Sequence, residues 1–207
     1  MTVSAEKTAV LVIDMHRGSL EAPGTVLIPG ATSLYPSLST LLEGARERSI
    51  PVVFIVHQID PEGREARNPF WVESGNILEL YPHVAEQVIG SRWTEMPAPI
   101  APKPGDLVVP KKRYGAFTGN GLMQILRMWG VDTLVLTGVA TEICVLATAF
   151  EAFNNDFRVL LASDCVKAKD ANLEGPAQAI IAREVGWVLS SQEILDAYPL
   201  PAALVTT

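Results

Sequence analysis

"LVLTGVATEICVLATAFEAFNN", residues 134–155, decides how this chain folds. It opens as a run of Val and Leu ending at Val139, turns at Ala140, and continues as a helical pattern begun by a capping Thr141. An apolar strand feeding a helix through so short a turn is half of a βαβ unit. The full run is "TLVLTGV" (133–139), and five others resemble it: "AVLVIDM" (9–15), "PVVFIVH" (51–57), "DLVVPK" (106–111), "RVLLASD" (158–164) and "GWVLSS" (186–191). Being nearly continuous in Val, Leu and Ile, they read as strands buried on both faces. Helical patterns separate them: "TSLYPSLSTLLEGARERS", "TGNGLMQILRMWG" closing on Gly130, and "NLEGPAQAIIAREVG". The alternation predicts an α/β fold of three α/β/α layers. Its doubly wound, mainly parallel six-stranded sheet is Rossmann-like and spans 1–207 as one domain. The exception is 58–105, a long Pro/Gly-rich connection expected to serve as a substrate or oligomer loop.

Totals narrow the function classes. A net charge of −7 argues against nucleic acid or an anionic membrane as partner. Two cysteines, Cys144 and Cys165, make no disulfide framework, so a reducing compartment is expected. Asp14 interrupts the first apolar run, leaving no signal-peptide core, and no apolar stretch approaches the roughly 18–20 residues of a membrane span. A cytoplasmic location is the expectation.

Ligands of open parallel sheets bind outside the carboxyl ends of the strands, where strand order reverses. Asp14 ends the first strand, Lys111 the third, and Cys144 follows the fourth. A regular order sets strands one and four side by side, with Asp14 and Cys144 on the lips of one crevice. The third strand then lies about 10 Å from the first, a gap Lys111 must reach across. Cys144 falls in a first helical turn, where free N–H groups and the dipole favour a thiolate. With the Ala140 N–H, that of Cys144 can form an oxyanion hole. Asp14 can take the thiol proton and return it to a leaving amine. Taken singly, such a Cys is more often core filler, such an Asp a turn residue, and such a Lys a solvated side chain.

Three segments carry a resemblance: "AVLVIDMHRG", "VVPKKRYGAFTGNGLMQIL" and "GVDTLVLTGVATEICVLATAFEA". They are similar to the signature segments of the isochorismatase-like cysteine hydrolases, a family that includes N-carbamoylsarcosine amidohydrolase and the nicotinamidases. The likeness extends through "FRVLLASDCVKA" and "EVGWVLSSQEIL". It implies a catalytic triad of Asp14, Lys111 and Cys144, and a non-proline cis peptide at Val139–Ala140. Counting back from Ala116–Phe117 selects Lys111 over Lys112. Cys165 reads as structural.

The family's metal-binding members carry further histidines after the second strand. Here "FIVHQIDPEGREARN" offers His57 alone, so neither metal nor other cofactor is expected. His16 replaces the amide side chain common in relatives, and with Phe70, Trp71 and Phe117 it is a candidate for the substrate pocket. Phe70, Trp71 and Trp93 have an equally good reading as anchors of the long connection. Arg17, Arg64, Arg67 and Arg92 are placed to meet a substrate carboxylate. The expected function is a metal-independent cysteine amidohydrolase that cleaves a C–N bond of a small amide or ureide through a thioester, in a homo-oligomer. Vinyl-ether hydrolysis of the isochorismatase type, which needs no thiol, and a redox or binding role for the thiol are the alternatives.

Overall fold

The computed structural model describes residues 3–24, 26–59, 69–73 and 90–199, with the backbone alone at 71 and 72. Six strands form one sheet: β1 (Thr8–Ile13), β2 (Val52–His57), β3 (Leu107–Lys111), β4 (Thr133–Val139), β5 (Arg158–Lys167) and β6 (Gly186–Leu189). Their order is β3-β2-β1-β4-β5-β6, every neighbouring pair is parallel, and the direction of winding reverses between β1 and β4. This is the three-layer α/β/α arrangement that the alternation of runs and helices predicts. β1, β2 and β4 are buried at every position, which explains why they lack the polar alternation of a one-sided sheet.

Alternate residues of β1 face opposite layers. Val10 and Val12 join Leu38, Leu41 and Leu42 of helix α2 (Tyr35–Glu47) on one side, with Ile194 and Leu195 of α7 (Ser191–Asp196). Ala9, Leu11 and Ile13 pack on the other against α4 (Leu122–Met128), α5 (Leu146–Asn154) and α6 (Ala171–Glu184) through Leu122, Leu126, Ala149, Ala152 and Ile181. The three leucines of α2 are at most 1 % exposed, and each such burial contributes about 1.5–3 kcal/mol. Two short helices, α1 (Arg17–Leu20) and α3 (Pro69–Glu73), complete the set among the described residues. Among those residues no helix is long and apolar enough to cross a membrane.

Several element ends depart from the sequence reading. β1 stops at Ile13, because Asp14 turns into the left-handed region at φ 52°. β5 runs on to Lys167 and takes in Cys165, which is wholly buried. The end of "GWVLSS" is no strand: Ser190 caps α7 in a reciprocal capping box with Glu193. The described part of 58–105 holds α3 and 3-10 turns at Arg92–Thr94 and Ala98–Ile100, and the remainder lies outside the described residues.

Gly138 shows how tightly β4 lies on β1 near their carboxyl ends. Its φ is 103°, and a Cβ there would sit 2.0 Å from the Ile13 carbonyl oxygen. Only glycine meets both demands.

Candidate active site

Asp14 is placed by the neighbouring strand β2. Its N–H donates to the Ile55 carbonyl at 2.8 Å, and its Oδ1 accepts from the His57 N–H at 2.9 Å. His57 ends β2 directly beside Lys111 of β3. The Lys111 side chain spans the gap between β3 and β1 and sets Nζ 2.8 Å from Asp14 Oδ2. The same ammonium donates to the Arg113 carbonyl at 2.9 Å and to Cys144 Sγ at 3.4 Å. An ammonium has three protons, and all three are engaged. Lys111 is fully buried, whereas Lys112 beside it retains part of its surface.

Cys144 enters from the other half of the sheet. The helix after β4 begins with a π turn, Thr141–Val145, in which the Val145 N–H reaches back to the Ala140 carbonyl. The Val139–Ala140 peptide preceding it is cis. Thr148 ties this helix to the lysine segment: its hydroxyl donates to the Cys144 carbonyl at 2.7 Å and accepts from the Ala116 N–H at 3.2 Å. Glu151, one turn on, accepts from the Phe117 N–H and the Thr118 hydroxyl. The spacing from Lys111 to Ala116–Phe117 is therefore a docking register against the helix that carries Cys144.

A cavity of about 70 Å³ opens onto this cluster. Asp14, His16, Ser19, His57, Tyr114, Cys144 and Lys169 give it polar groups; Val26, Ile28, Val139, Ala140 and Ile143 make its apolar wall. Lys169 and Tyr114 escaped the sequence reading. Lys169 lies just past β5, so the rule that pointed to the other strand ends would have found it.

Electrostatics correct one expectation. The Cys144 thiol is pushed up to about 12, not down: burial dominates and the Asp14 carboxylate adds to it, against Lys111, which pulls the other way. Cys165 is likewise pushed up to about 12, by burial and then by Asp164. Burial alone would raise the Asp14 carboxyl, but Lys111, with His16 and His57, holds it below the usual carboxylate value. Burial would lower Lys111, yet Asp14 and Cys144 hold it above the ordinary lysine value. At neutral pH the resting trio is thus carboxylate, ammonium and thiol. Asp14 and the Cys144 thiol share the Lys111 ammonium as a partner.

Of the residues expected to form a pocket, His16 lines the cavity. Phe117 does not: half-buried, its ring stacks on Phe157 at 5.8 Å against the core, because Glu151 draws the Phe117 backbone onto α5. Phe70 stands 65 % exposed on α3 and lines no part of the cavity, and the Trp71 side chain lies outside the described residues. Arg64 and Arg67 lie outside them too. Arg17 is paired with Glu21 at 2.6 Å and with Glu95 at 3.8 Å, and Arg92 lies over the Trp93 ring; neither reaches the cavity. Lys169 is the lysine among the residues that line it. Among the described residues no group of three or more His, Cys, Asp or Glu side chains is arranged to hold a metal ion.

Residues 8–193 match the family model of the isochorismatase domain. The ureidoacrylate amidohydrolase RutB of Azorhizobium caulinodans is 28 % identical over 212 aligned positions, covering 96 % of this chain and 93 % of its own. The crystal structure of N-carbamoylsarcosine amidase from Thermoplasma acidophilum superposes with a TM-score of 0.72 at 27 % identity, over 89 % of this chain and 96 % of that one. A cysteine hydrolase from Pseudomonas syringae pv. phaseolicola shares the fold with a TM-score of 0.86 at 22 % identity, over 95 % and 94 %.

Proposed function

Since the chain belongs to the isochorismatase domain family, we propose that it is a cysteine amidohydrolase whose nucleophile is Cys144 and whose substrate is a small carboxylate-bearing amide or ureide. The observation that carries this is the buried ammonium of Lys111, which donates to both Asp14 and Cys144 Sγ, two residues that line one cavity. A structural lysine has no need of a sulfur partner.

The reaction follows from the resting protonation states. Asp14 takes the thiol proton as Sγ attacks the scissile carbonyl carbon, so the thiolate forms only as it reacts. Lys111 stays an ammonium and balances the negative charge passing between sulfur and carboxylate. The oxygen of the tetrahedral intermediate is met by the backbone N–H groups of Ala140 and Cys144, both of which line the cavity. The Ala140 carbonyl is turned away into the helix, where it accepts from Ile143 and Val145. Asp14 returns the proton to the leaving nitrogen, the C–N bond breaks, and ammonia departs. A thioester remains on Cys144, or a thiocarbamate if the substrate is a ureide. Water, deprotonated by Asp14, then attacks the acyl carbon; the C–S bond breaks and the thiol regains its proton.

The RutB relatives are named for ureidoacrylate, which joins a ureido group to a carboxylate. Lys169 in the cavity lining suits such a carboxylate, and the small cavity suits so compact a molecule. The test is ammonia release from ureidoacrylate and a panel of small ureido and carboxamido acids, with intact-mass analysis of acid-quenched enzyme. Ammonia should appear with the wild type and not with Cys144→Ala, and an acyl mass should map to Cys144. Ammonia release undiminished in Cys144→Ala, or cleavage of a vinyl ether with none from any amide, would overturn the assignment.

A further inference from the structure

The ladder between β4 and β5 is irregular where it nears the site. Its register shifts between Leu136 and Gly138 before Val139 pairs with Lys167, and both strands end at that pair. Beyond it the two chain segments supply different parts of the cavity lining. One gives Ala140, Ile143 and Cys144; the other gives Lys169. Strand pairing no longer holds these segments together, so side chains must set their separation.

Two carboxylates do this. Glu142 sits in the π turn Thr141–Val145, two residues before Cys144. Its Oε1 accepts from the Lys169 N–H at 3.0 Å and the Asp170 N–H at 3.1 Å, and its Oε2 lies 3.2 Å from the same Lys169 nitrogen. Glu174 of α6 makes the reverse tie, accepting from the Thr141 hydroxyl at 2.9 Å and from the Ala168 N–H. The turn that carries the nucleophile and the segment that carries Lys169 are thus braced in both directions. Hydrogen bonds to an ionised acceptor are about twice as strong as neutral ones. These ties exceed what capping α6 requires, because Asp170 already caps that helix by accepting from the Asn172 N–H at 2.9 Å. What they fix is the backbone of Lys169. An ammonium on a flexible four-carbon stem meets an anion at a set distance from Sγ only if the root of the stem is held.

We propose that Glu142 is a positioning residue for substrate carboxylates: by anchoring the Lys169 backbone to the Cys144 turn, it places the lysine ammonium where the carboxylate of a bound amide or ureide acid lies. This deepens the amidohydrolase reading and rests on the part given there to Lys169.

Titration calorimetry on full-length Cys144→Ala protein measures binding without turnover. The ligands are N-carbamoylglycine and isobutylurea, in which two methyl groups take the place of the carboxylate oxygens. The acid should bind about tenfold or more tightly, the factor that one hydrogen bond to a charged group supplies. Lys169→Met should bring the ratio within about twofold. Glu142→Leu should lower it nearly as far, although the lysine is still present. Glu142→Gln, whose amide oxygen can accept from both N–H groups, should keep the ratio within about threefold of the parent. In the Lys169→Met background Glu142→Leu should change the ratio no further, because it acts through the lysine. A merely structural loss would instead weaken both ligands alike. Should Glu142→Leu fail to fold, Glu142→Asp, which keeps the charge one methylene short of the two N–H groups, gives the same readout beside Glu142→Gln. A ratio near one in the parent, a ratio untouched by Lys169→Met or by the Leu and Asp variants, a Gln variant no better than these, or additive effects of the two sites would each overturn the proposal. Failure of the amidohydrolase reading would show separately, as a lack of ammonia release from the Cys144-containing enzyme while the binding ratios stand.

Discussion

Replacing Lys111 by Met tests the centre of the site most directly. Methionine keeps much of the stem volume and removes only the cation. The ammonium it deletes lies 2.8 Å from Asp14 Oδ2, 2.9 Å from the Arg113 carbonyl and 3.4 Å from Cys144 Sγ, with the lysine side chain fully buried. Asp14 would be left as a buried carboxylate with the His57 N–H at 2.9 Å. Stripping one member from a buried ion pair costs about 3–5 kcal/mol. For 207 residues the unfolding entropy near the midpoint is about 0.43 kcal/mol/K, so the melting temperature should fall by about 7–12 °C at pH 7.5. The loss should also depend on pH. In the wild type the Asp14 carboxyl is held low, so its stabilising contribution is present above about pH 4 and is lost as pH falls through the folded value. Without Lys111 burial lifts that carboxyl above its unfolded value, so the penalty applies at neutral pH and fades as Asp14 takes a proton. The gap between wild type and variant should therefore narrow from pH 7.5 to pH 4. Differential scanning calorimetry at three pH values measures it, with Lys112→Met, expected to cost under about 1 kcal/mol, as control. A Lys111→Met protein melting within 2 °C of wild type at pH 7.5, or no worse than the Lys112 control, would refute the reasoning.

Two further outcomes follow from thiol chemistry and packing. With both thiols pushed up to about 12, iodoacetamide labelling of Cys144 should still rise roughly tenfold per pH unit from pH 7.5 to pH 10. Cys144 should react ahead of Cys165 because it borders the cavity while Cys165 is wholly buried; a plateau below pH 8, or faster labelling of Cys165 on peptide mapping, would contradict this. Gly138→Ala would set a Cβ 2.0 Å from the Ile13 carbonyl oxygen at a φ of 103°, and should cost more than about 4 kcal/mol or prevent folding. A soluble variant with near wild-type urea midpoint would show that β1 and β4 yield there.

The sheet was legible because burial on both faces writes itself as unbroken apolar runs, and β1, β2 and β4 are such strands. The positions of Asp14, Lys111 and Cys144 at strand ends were legible from the same runs. What escaped depends on contacts between distant segments. Phe117 carries no mark in the sequence separating a core ring from a cavity wall; Glu151, 34 positions later, decides that. Nor can spacing show whether burial or a lysine governs the Cys144 thiol, since both act at once and burial proves the larger. The unpaired Nδ1 of the buried His16 is likewise invisible in the sequence. The short π turn at Thr141–Val145 reads in sequence as an ordinary helix start.

The left-handed backbone at Asp14, φ 52°, bears on which replacements can be interpreted. Aspartate and asparagine accept that conformation through their short polar side chains, and glycine accepts it freely, whereas other residues lose roughly 1–2 kcal/mol there. An alanine at this position would confound two losses, a carboxylate and a comfortable turn, and any fall in activity would have two causes. Asparagine removes the charge while leaving the chain's path alone. Position 14 is thus restricted by shape whatever its chemistry, and a descendant of this protein relieved of the role proposed for Asp14 would still have few residues to drift to there.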